Sequence, residues 1–323
     1  MGQEFELIRR YFTHPGRHTL LGVGDDAALL QPAPGCVLAA STDMLVAGRH
    51  FMDDTDPGRL GHKALAVNLS DLAAMGAKPR WALLALALPQ VDADWLAAFA
   101  AGFHAEAAAH EVDWVGGDTT AGPLNLSVTV LGEVPAAHAL RRSGGRVGDQ
   151  VWVSGTLGDA AVGLALLRGE RTLDAAAHAH CVRRLEWPTP RVALGLRLAG
   201  LAHAALDVSD GLLADLGHLL EASGVGADLE LAALPLSPVL RDHVQHDWVR
   251  EAVLAGGDDY ELCFSAAAAD EDRILAAGAA SGTPVTRIGV LTAAPGLRVR
   301  DPHGATVHTR RRGFDHFPDP AAA

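Results

Sequence analysis

The sequence is short of lysine: Lys63 and Lys78 are the only two, and the other 24 of its 26 basic residues are Arg. Neither follows a glycine, which excludes a P-loop, whose Gly-Lys-Ser/Thr reaches into nucleotide phosphates. Cysteine is scarce too. Cys36, Cys181 and Cys263 are an odd number with no C-x-x-C pair, so neither a disulfide framework nor a zinc ribbon is indicated, and a reducing cytosol fits best. The longest apolar run, residues 81–88, is far short of the ~20 residues that span a bilayer. The first twelve residues mix charged and apolar side chains without the apolar stretch of a secretion signal. These absences predict a soluble, cytoplasmic protein with no membrane partner.

What is present is a chain of 323 residues, 49% apolar and 20% charged. At roughly 150 residues per domain that is two globular domains. The formal charge of −13 leaves no basic face for nucleic acid. Alternation in Leu124-Asn125-Leu126-Ser127-Val128-Thr129-Val130 has the period of a half-buried strand. Further strands are predicted over 37–42, 81–88, 150–154, 204–208, 260–264 and 285–290, and helices over 58–75, 93–109, 159–167, 190–201, 212–222 and 270–280. Interleaved strands and helices make the fold α/β or α+β. The polar, glycine-rich stretch 141–149 marks the boundary, giving domains 1–140 and 146–320.

Of the 39 acidic residues 27 are Asp, the acid of loops, caps and metal sites. Nine of them fall in six short places: Gly24-Asp25-Asp26, Ser41-Thr42-Asp43, Asn68-Leu69-Ser70-Asp71, Gly116-Gly117-Asp118, Asp207-Val208-Ser209-Asp210-Gly211 and Gly256-Gly257-Asp258-Asp259-Tyr260. Most lie at a strand end or a strand-to-helix junction, where α/β folds place ligands. One such Asp is as readily a helix N-cap; six sites together, two with paired carboxylates that repel without a cation, point to metal. Asp71 lies in an otherwise apolar helical run three residues after Asn68, so the two are expected to form a chelating face.

Gly22-Val23-Gly24-Asp25-Asp26-Ala27 has the spacing of a dinucleotide fingerprint, but two carboxylates in that loop would repel a pyrophosphate. With Mg²⁺ between them the sign reverses. Gly155-Thr156-Leu157-Gly158 is either a phosphate cradle or a tight turn with ordinary capping. His178-Ala179-His180-Cys181 is a poor metal tract, because helical residues two apart do not face each other.

Glu4-Phe5-Glu6-Leu7-Ile8, Gly22 to Ala27, Ser41 to Val46, the run from Lys63 to Gly76, Gly116 to Thr120, Asp207 to Leu212 and Asp259-Tyr260-Glu261-Leu262 resemble the bacterial thiamine-monophosphate kinases, and the similarity runs from about Phe5 to Phe317. The resemblance implies the two-domain fold of the aminoimidazole-ribonucleotide-synthetase superfamily, an N-terminal domain that dimerises through its sheet and a C-terminal α/β domain. It implies a homodimer that transfers phosphate from ATP to thiamine phosphate with Mg²⁺, giving thiamine diphosphate. Carried over residue by residue, it makes Asp26, Ser41, Thr42, Asp43, Asp71, Asp118, Asp207 and Asp210 the magnesium ligands. Gly117, Asp118, Arg142 and Ser209 would contact ATP, and His50, Asp258 and Phe314 thiamine phosphate. Asp258 stands where the family commonly has Glu, one methylene longer.

The chemistry suits such a set. ATP brings about four negative charges and a phosphate monoester, with its second pKa near ~6, almost two more. Carboxylates added to these need several Mg²⁺ ions as bridges. The acceptor oxygen is already ionised at neutral pH, so direct in-line transfer without a general base is expected. Two other readings stand beside it: aminoimidazole ribonucleotide synthesis, in which thiamine phosphate would not stimulate ATP turnover, and a non-catalytic, metal-dependent nucleotide-binding module.

Overall fold

The structure is a computed structural model that describes residues 7, 9–13, 16–311 and 313–317. The chain divides into two compact units, Met1–Ala139 and Leu140–Ala323.

In the N-terminal unit a short antiparallel pair, β1 (Thr19–Leu21) and β2 (Leu29–Leu30), flanks the Gly22–Ala27 motif. There follow β3 (Cys36–Val46), α1 (Pro57–Ala74), β4 (Lys78–Leu88), α2 (Ala93–Ala109), β5 (Asp113–Ala121) and β6 (Asn125–Pro135). The four long strands form one sheet in the order β3-β6-β4-β5, antiparallel except for the parallel pair β4/β5. Asp56 caps α1, accepting the Arg59 N–H at 2.9 Å, with Pro57 in the first turn, where its missing N–H is harmless. Most of α1 is buried, because its inner side covers β3 and β6 and its outer side receives α2. The two helices touch backbone to backbone: a Cβ on Gly61 would land on the Phe99 carbonyl oxygen, and one on Gly102 on that of Gly58. Trp81, Phe99 and Phe103 fill the core, Phe103 and Trp114 meeting at a centroid separation of 4.2 Å.

The C-terminal unit runs β7 (Gln150–Ser154), α3 (Asp159–Leu167), α4 (Ala175–Glu186), α5 (Val192–Leu198), β8 (Ala204–Val208), α6 (Leu212–Ser223), β9 (Gly226–Glu230), α7 (Pro238–Arg241), α8 (Asp247–Ala255), β10 (Glu261–Ala266), α9 (Glu271–Ser281), β11 (Val285–Thr292), β12 (Gly296–Arg300) and β13 (Thr306–Val307). Its strands form one seven-stranded sheet, β13-β12-β9-β11-β7-β10-β8. The strands β7 and β10 and the edge strand β8 are buried along their whole length, so they show no in-out alternation. Leu206, Val208, Leu212, Leu216 and Cys263 belong to the core on which α6 packs.

Candidate functional site

Each unit carries its own group of the aspartates singled out in the sequence. In the N-terminal unit, period-two alternation along β3 turns Ser41 and Asp43 toward α1 and Thr42 to the other face. Ser41 Oγ donates to Asp71 Oδ2 at 2.5 Å, and the Asp43 N–H donates to Asn68 Oδ1 at 2.9 Å. Asn68 is fully buried and its Nδ2 donates to the Ala64 carbonyl at 2.9 Å. The chelating face expected of Asn68 and Asp71 therefore needs correcting. Asn68 points into the protein, where its amide oxygen would otherwise lack a donor, and ties β3 to the helix; Asp71, half-buried, is the residue of the two whose carboxylate meets a side chain of β3, the Ser41 hydroxyl. The Thr42 hydroxyl shares a hydrogen bond of 2.8 Å with Thr129 on the opposite face.

Asp26 is exposed in the loop after β1, its N–H held by Asp25 Oδ1 at 2.9 Å. Asp118 is exposed on β5 and accepts the Thr119 N–H at 2.9 Å. Gly117 beside it has φ +154°, and a Cβ there would strike the Leu84 carbonyl oxygen, so only glycine lets β5 run this close to β4. His50 is half-buried; its Nδ1 accepts the Val46 N–H at 3.0 Å, which puts the proton of a neutral ring on Nε2. Lys63 Nζ reaches the His50 carbonyl at 3.4 Å.

In the C-terminal unit, Asp207 is buried at the end of β8, and Ser209 and Asp210 are half-buried in the turn that leads into α6. That turn is held from inside: the N–H groups of Ser209, Asp210 and Gly211 all donate to Asp215 Oδ2, each at 3.0 Å. Burial pushes the Asp215 carboxyl up to about 6, the Asp210 charge adding to it against those three hydrogen bonds. Burial also raises Asp210; His316 and His218 oppose, while the charges of Asp258 and Asp315 raise it further.

Asp258 and Tyr260 both have positive φ, 67° and 51°, uncommon for side chains of this size. The surrounding structure enforces it. The Asp258 N–H donates to the Ser209 carbonyl and the Tyr260 N–H to the Val208 carbonyl, both at 2.8 Å, and Tyr260 Oη donates to Asp258 Oδ1 at 3.1 Å. The acids that alternate with them, Asp259 and Glu261, point inward. Asp259 accepts the Gly158 N–H at 2.8 Å, and burial lifts its carboxyl well above the usual range. Glu261 binds Ser154, Arg184 and Arg191. Phe314 is 46% exposed, its N–H on the Asp210 carbonyl at 2.9 Å, its ring edge-on to His316 at 4.9 Å. Arg142 is exposed, and its carbonyl accepts from Ser223 Oγ at 3.0 Å.

Gly155-Thr156-Leu157-Gly158 turns out to be a tight turn satisfied within the protein: Gly158 N–H meets Asp259, and Thr156 Oγ1 donates to Asp159 at 2.9 Å. His178 to Cys181 lie on α4, where His180 pairs with Asp159 at 3.3 Å and burial pushes the Cys181 thiol up to about 12. Sequence reasoning passed over Asp215, Tyr260 and the Arg184–Glu261–Arg191 cluster. An acid four residues after a Gly-capped helix start was the available signal for Asp215.

Among the described residues no three His, Cys, Asp or Glu side chains are grouped closely enough to hold a metal by themselves. The donor set nevertheless suits Mg²⁺. It consists of hard, anionic oxygens, and around Asp210 it places Asp258 and Asp315 close enough to raise its pKa, the imbalance a divalent cation corrects.

Acidic residues on strands, on a buried helix and in strand-to-helix turns, in two α/β units without a P-loop, define a class: family models match residues 24–134 as AIR synthase related protein, N-terminal domain, and 146–302 as AIR synthase related protein, C-terminal domain. Thiamine-monophosphate kinase of Salmonella typhimurium is 46% identical over 323 residues, 98% of this chain and 99% of that protein. The crystal structure of thiamine-monophosphate kinase from Stenotrophomonas maltophilia superposes with a TM-score of 0.83 at 49% identity, over 88% of this chain and 91% of that one. AaThiL complexed with AMPPCP and TMP superposes at 0.78 with 32% identity, over 91% and 92%. The chain belongs to the thiamine-monophosphate kinase family of AIR-synthase-related proteins.

Proposed function

We propose that this protein phosphorylates thiamine phosphate to thiamine diphosphate with ATP, by direct in-line transfer and without a covalent intermediate. The observation that carries the reading is Asp71: a carboxylate raised from an apolar, buried helix and delivered to Ser41 in the middle of β3, with Asp43 anchored beside it through Asn68. A helix does not hold an acid there for packing.

We assign Mg²⁺ binding to Asp26, Ser41, Thr42, Asp43, Asp71 and Asp118 in the N-terminal unit, and to Asp207 and Asp210 in the C-terminal unit. These residues would hold several Mg²⁺ ions, which would supply charge neutralisation on the transferring group. Gly117 lets the nucleotide approach the backbone, Asp118 and Ser209 contact it, and Arg142 adds a planar fork to a phosphate. His50 offers Nε2–H to thiamine phosphate, Asp258 a carboxylate oriented by Tyr260, and Phe314 a ring face for the thiazolium cation. No side chain takes a proton, because the acceptor phosphate oxygen is ionised near neutrality.

The same reading makes the protein a cytoplasmic homodimer. The outer face of β3 supports dimerisation, with Leu38, Met44 and Val46 exposed along one edge strand. An ADP-release assay with and without thiamine phosphate tests the proposed activity.

A further inference from the structure

The turn before α6 has the makings of an anion site: three consecutive N–H groups converge at a helix start, the arrangement with which many proteins bind phosphate. Here that cradle is occupied by the protein itself. All three N–H groups point at Asp215 Oδ2, on a side chain only 5% exposed and one turn into the same helix. A second glycine turn of this unit has a related feature, with Asp259, 1% exposed, taking the Gly158 N–H ahead of α3. At both of these turns an internal carboxylate takes backbone N–H that could otherwise meet a phosphate.

We infer that Asp215 is a positioning residue: its carboxylate occupies the N–H cradle of Ser209, Asp210 and Gly211 and fixes the backbone from which Ser209 and Asp210 project, so that this turn meets nucleotide through side chains and Mg²⁺ and not through its amides. The inference rests on the metal-dependent kinase reading above. A phosphate at this turn would have to displace a buried carboxylate bound by three hydrogen bonds, whereas a cation at Asp210 finds a side chain whose backbone is already held. Gly211 completes the device. It has φ +121°, and a Cβ would press on the Ala255 backbone at 2.9–3.0 Å, so the turn has one conformation in which all three amides face inward.

The test pairs Asp215→Asn with the wild-type protein. Mn²⁺ binding followed by electron paramagnetic resonance is expected to weaken at least fivefold in Asp215→Asn, and kcat to fall at least tenfold, with KM for thiamine phosphate within twofold of wild type and the thermal midpoint within a few degrees. A variant that unfolds more easily yet binds Mn²⁺ as wild type does while folded would make Asp215 a plain helix stabiliser and overturn the inference. Should Asp215→Asn fail to fold, amide hydrogen exchange in the wild-type protein decides. The amides of 209–211 are expected to be protected before Mg-ATP is added and to change less than twofold afterwards. A tenfold gain in protection on adding Mg-ATP would mean that phosphate takes those amides, and would contradict the inference. Failure of the kinase reading shows separately, as absence of phosphoryl transfer by wild type.

Discussion

Asp71 is half-buried on a helix whose neighbouring positions are almost all closed to solvent, and its partner is the hydroxyl of Ser41. Asp71→Asn keeps the shape and removes the charge. Turnover is expected to drop on the order of 100-fold, with an unchanged circular dichroism spectrum, because a metal ligand is lost and not a packing contact. Wild-type turnover at limiting Mg²⁺ would remove Asp71 from the ligand set. At Phe314 the expected effect is selective: Phe314→Ala raises KM for thiamine phosphate about tenfold through loss of a ring–cation contact and leaves KM for ATP unchanged. An effect confined to ATP would place the ring elsewhere. The aspartates themselves were legible in the sequence, because acids at strand ends and in an apolar helix violate the local pattern. The direction in which a polar residue points was not. Asn68 and Asp71 are three apart and looked equivalent, yet one is a fully buried tie and the other, half-buried, reaches the Ser41 hydroxyl. Likewise the positive φ of Asp258 and Tyr260 is imposed by partners on the neighbouring strand end, Val208 and Ser209, which no local pattern announces.

At the scale of the elements, β7, β8, α2 and α3 have the predicted bounds, since each begins or ends at a strong local signal such as the Asp92 cap of α2. Several elements were missed for physical reasons. β5 reads Asp-Trp-Val-Gly-Gly-Asp-Thr-Thr-Ala, whose paired glycines lower strand propensity and are explained by the close approach to β4. β9 (Gly-Ala-Asp-Leu-Glu) and β12 (Gly-Leu-Arg-Val-Arg) pair in parallel in the seven-stranded sheet, and each opens on glycine and carries two charged residues, which lowers strand propensity. The α1–α2 pair also holds a polar tie, with Glu106 between His62 at 3.1 Å and His110 at 3.2 Å. Burial alone would raise the Glu106 carboxyl, but the hydrogen bonds and charges of His110 and His62 outweigh it and lower it from 4.5 to about 2. A depressed acid stabilises the fold fully above its unfolded value, so this contribution is complete above about pH 4.5 and is lost as pH falls through about 2. Glu106→Gln is therefore expected to lower the thermal midpoint at pH 7 and to flatten its decline between pH 4.5 and 2. An acid limb identical to that of wild type would show that the tie carries no pH dependence.

For the whole molecule, the net charge of −13 and the shortage of lysine argue against a chain that binds nucleic acid or uses a P-loop, and both remain compatible with an ATP enzyme whose phosphates are held through metal. The two-unit division was legible because a polar glycine-rich stretch separates two sets of strands, and the chain divides between Ala139 and Leu140. The proposed dimer is not written in any single motif; the proposal places it on the outer face of β3. Met44→Glu, with Met44 56% exposed in the isolated chain, is expected to shift the protein from dimer to monomer by light scattering, and an unchanged mass would move the dimer contact off this face. The most direct test of the central claim is a coupled ADP-release assay run with ATP and thiamine phosphate, with free thiamine in its place, and with Mg²⁺ withheld. The account predicts ADP and thiamine diphosphate in equal amounts only when thiamine phosphate and Mg²⁺ are both present. ADP release indifferent to thiamine phosphate, or nucleotide binding with no transfer at all, would contradict it.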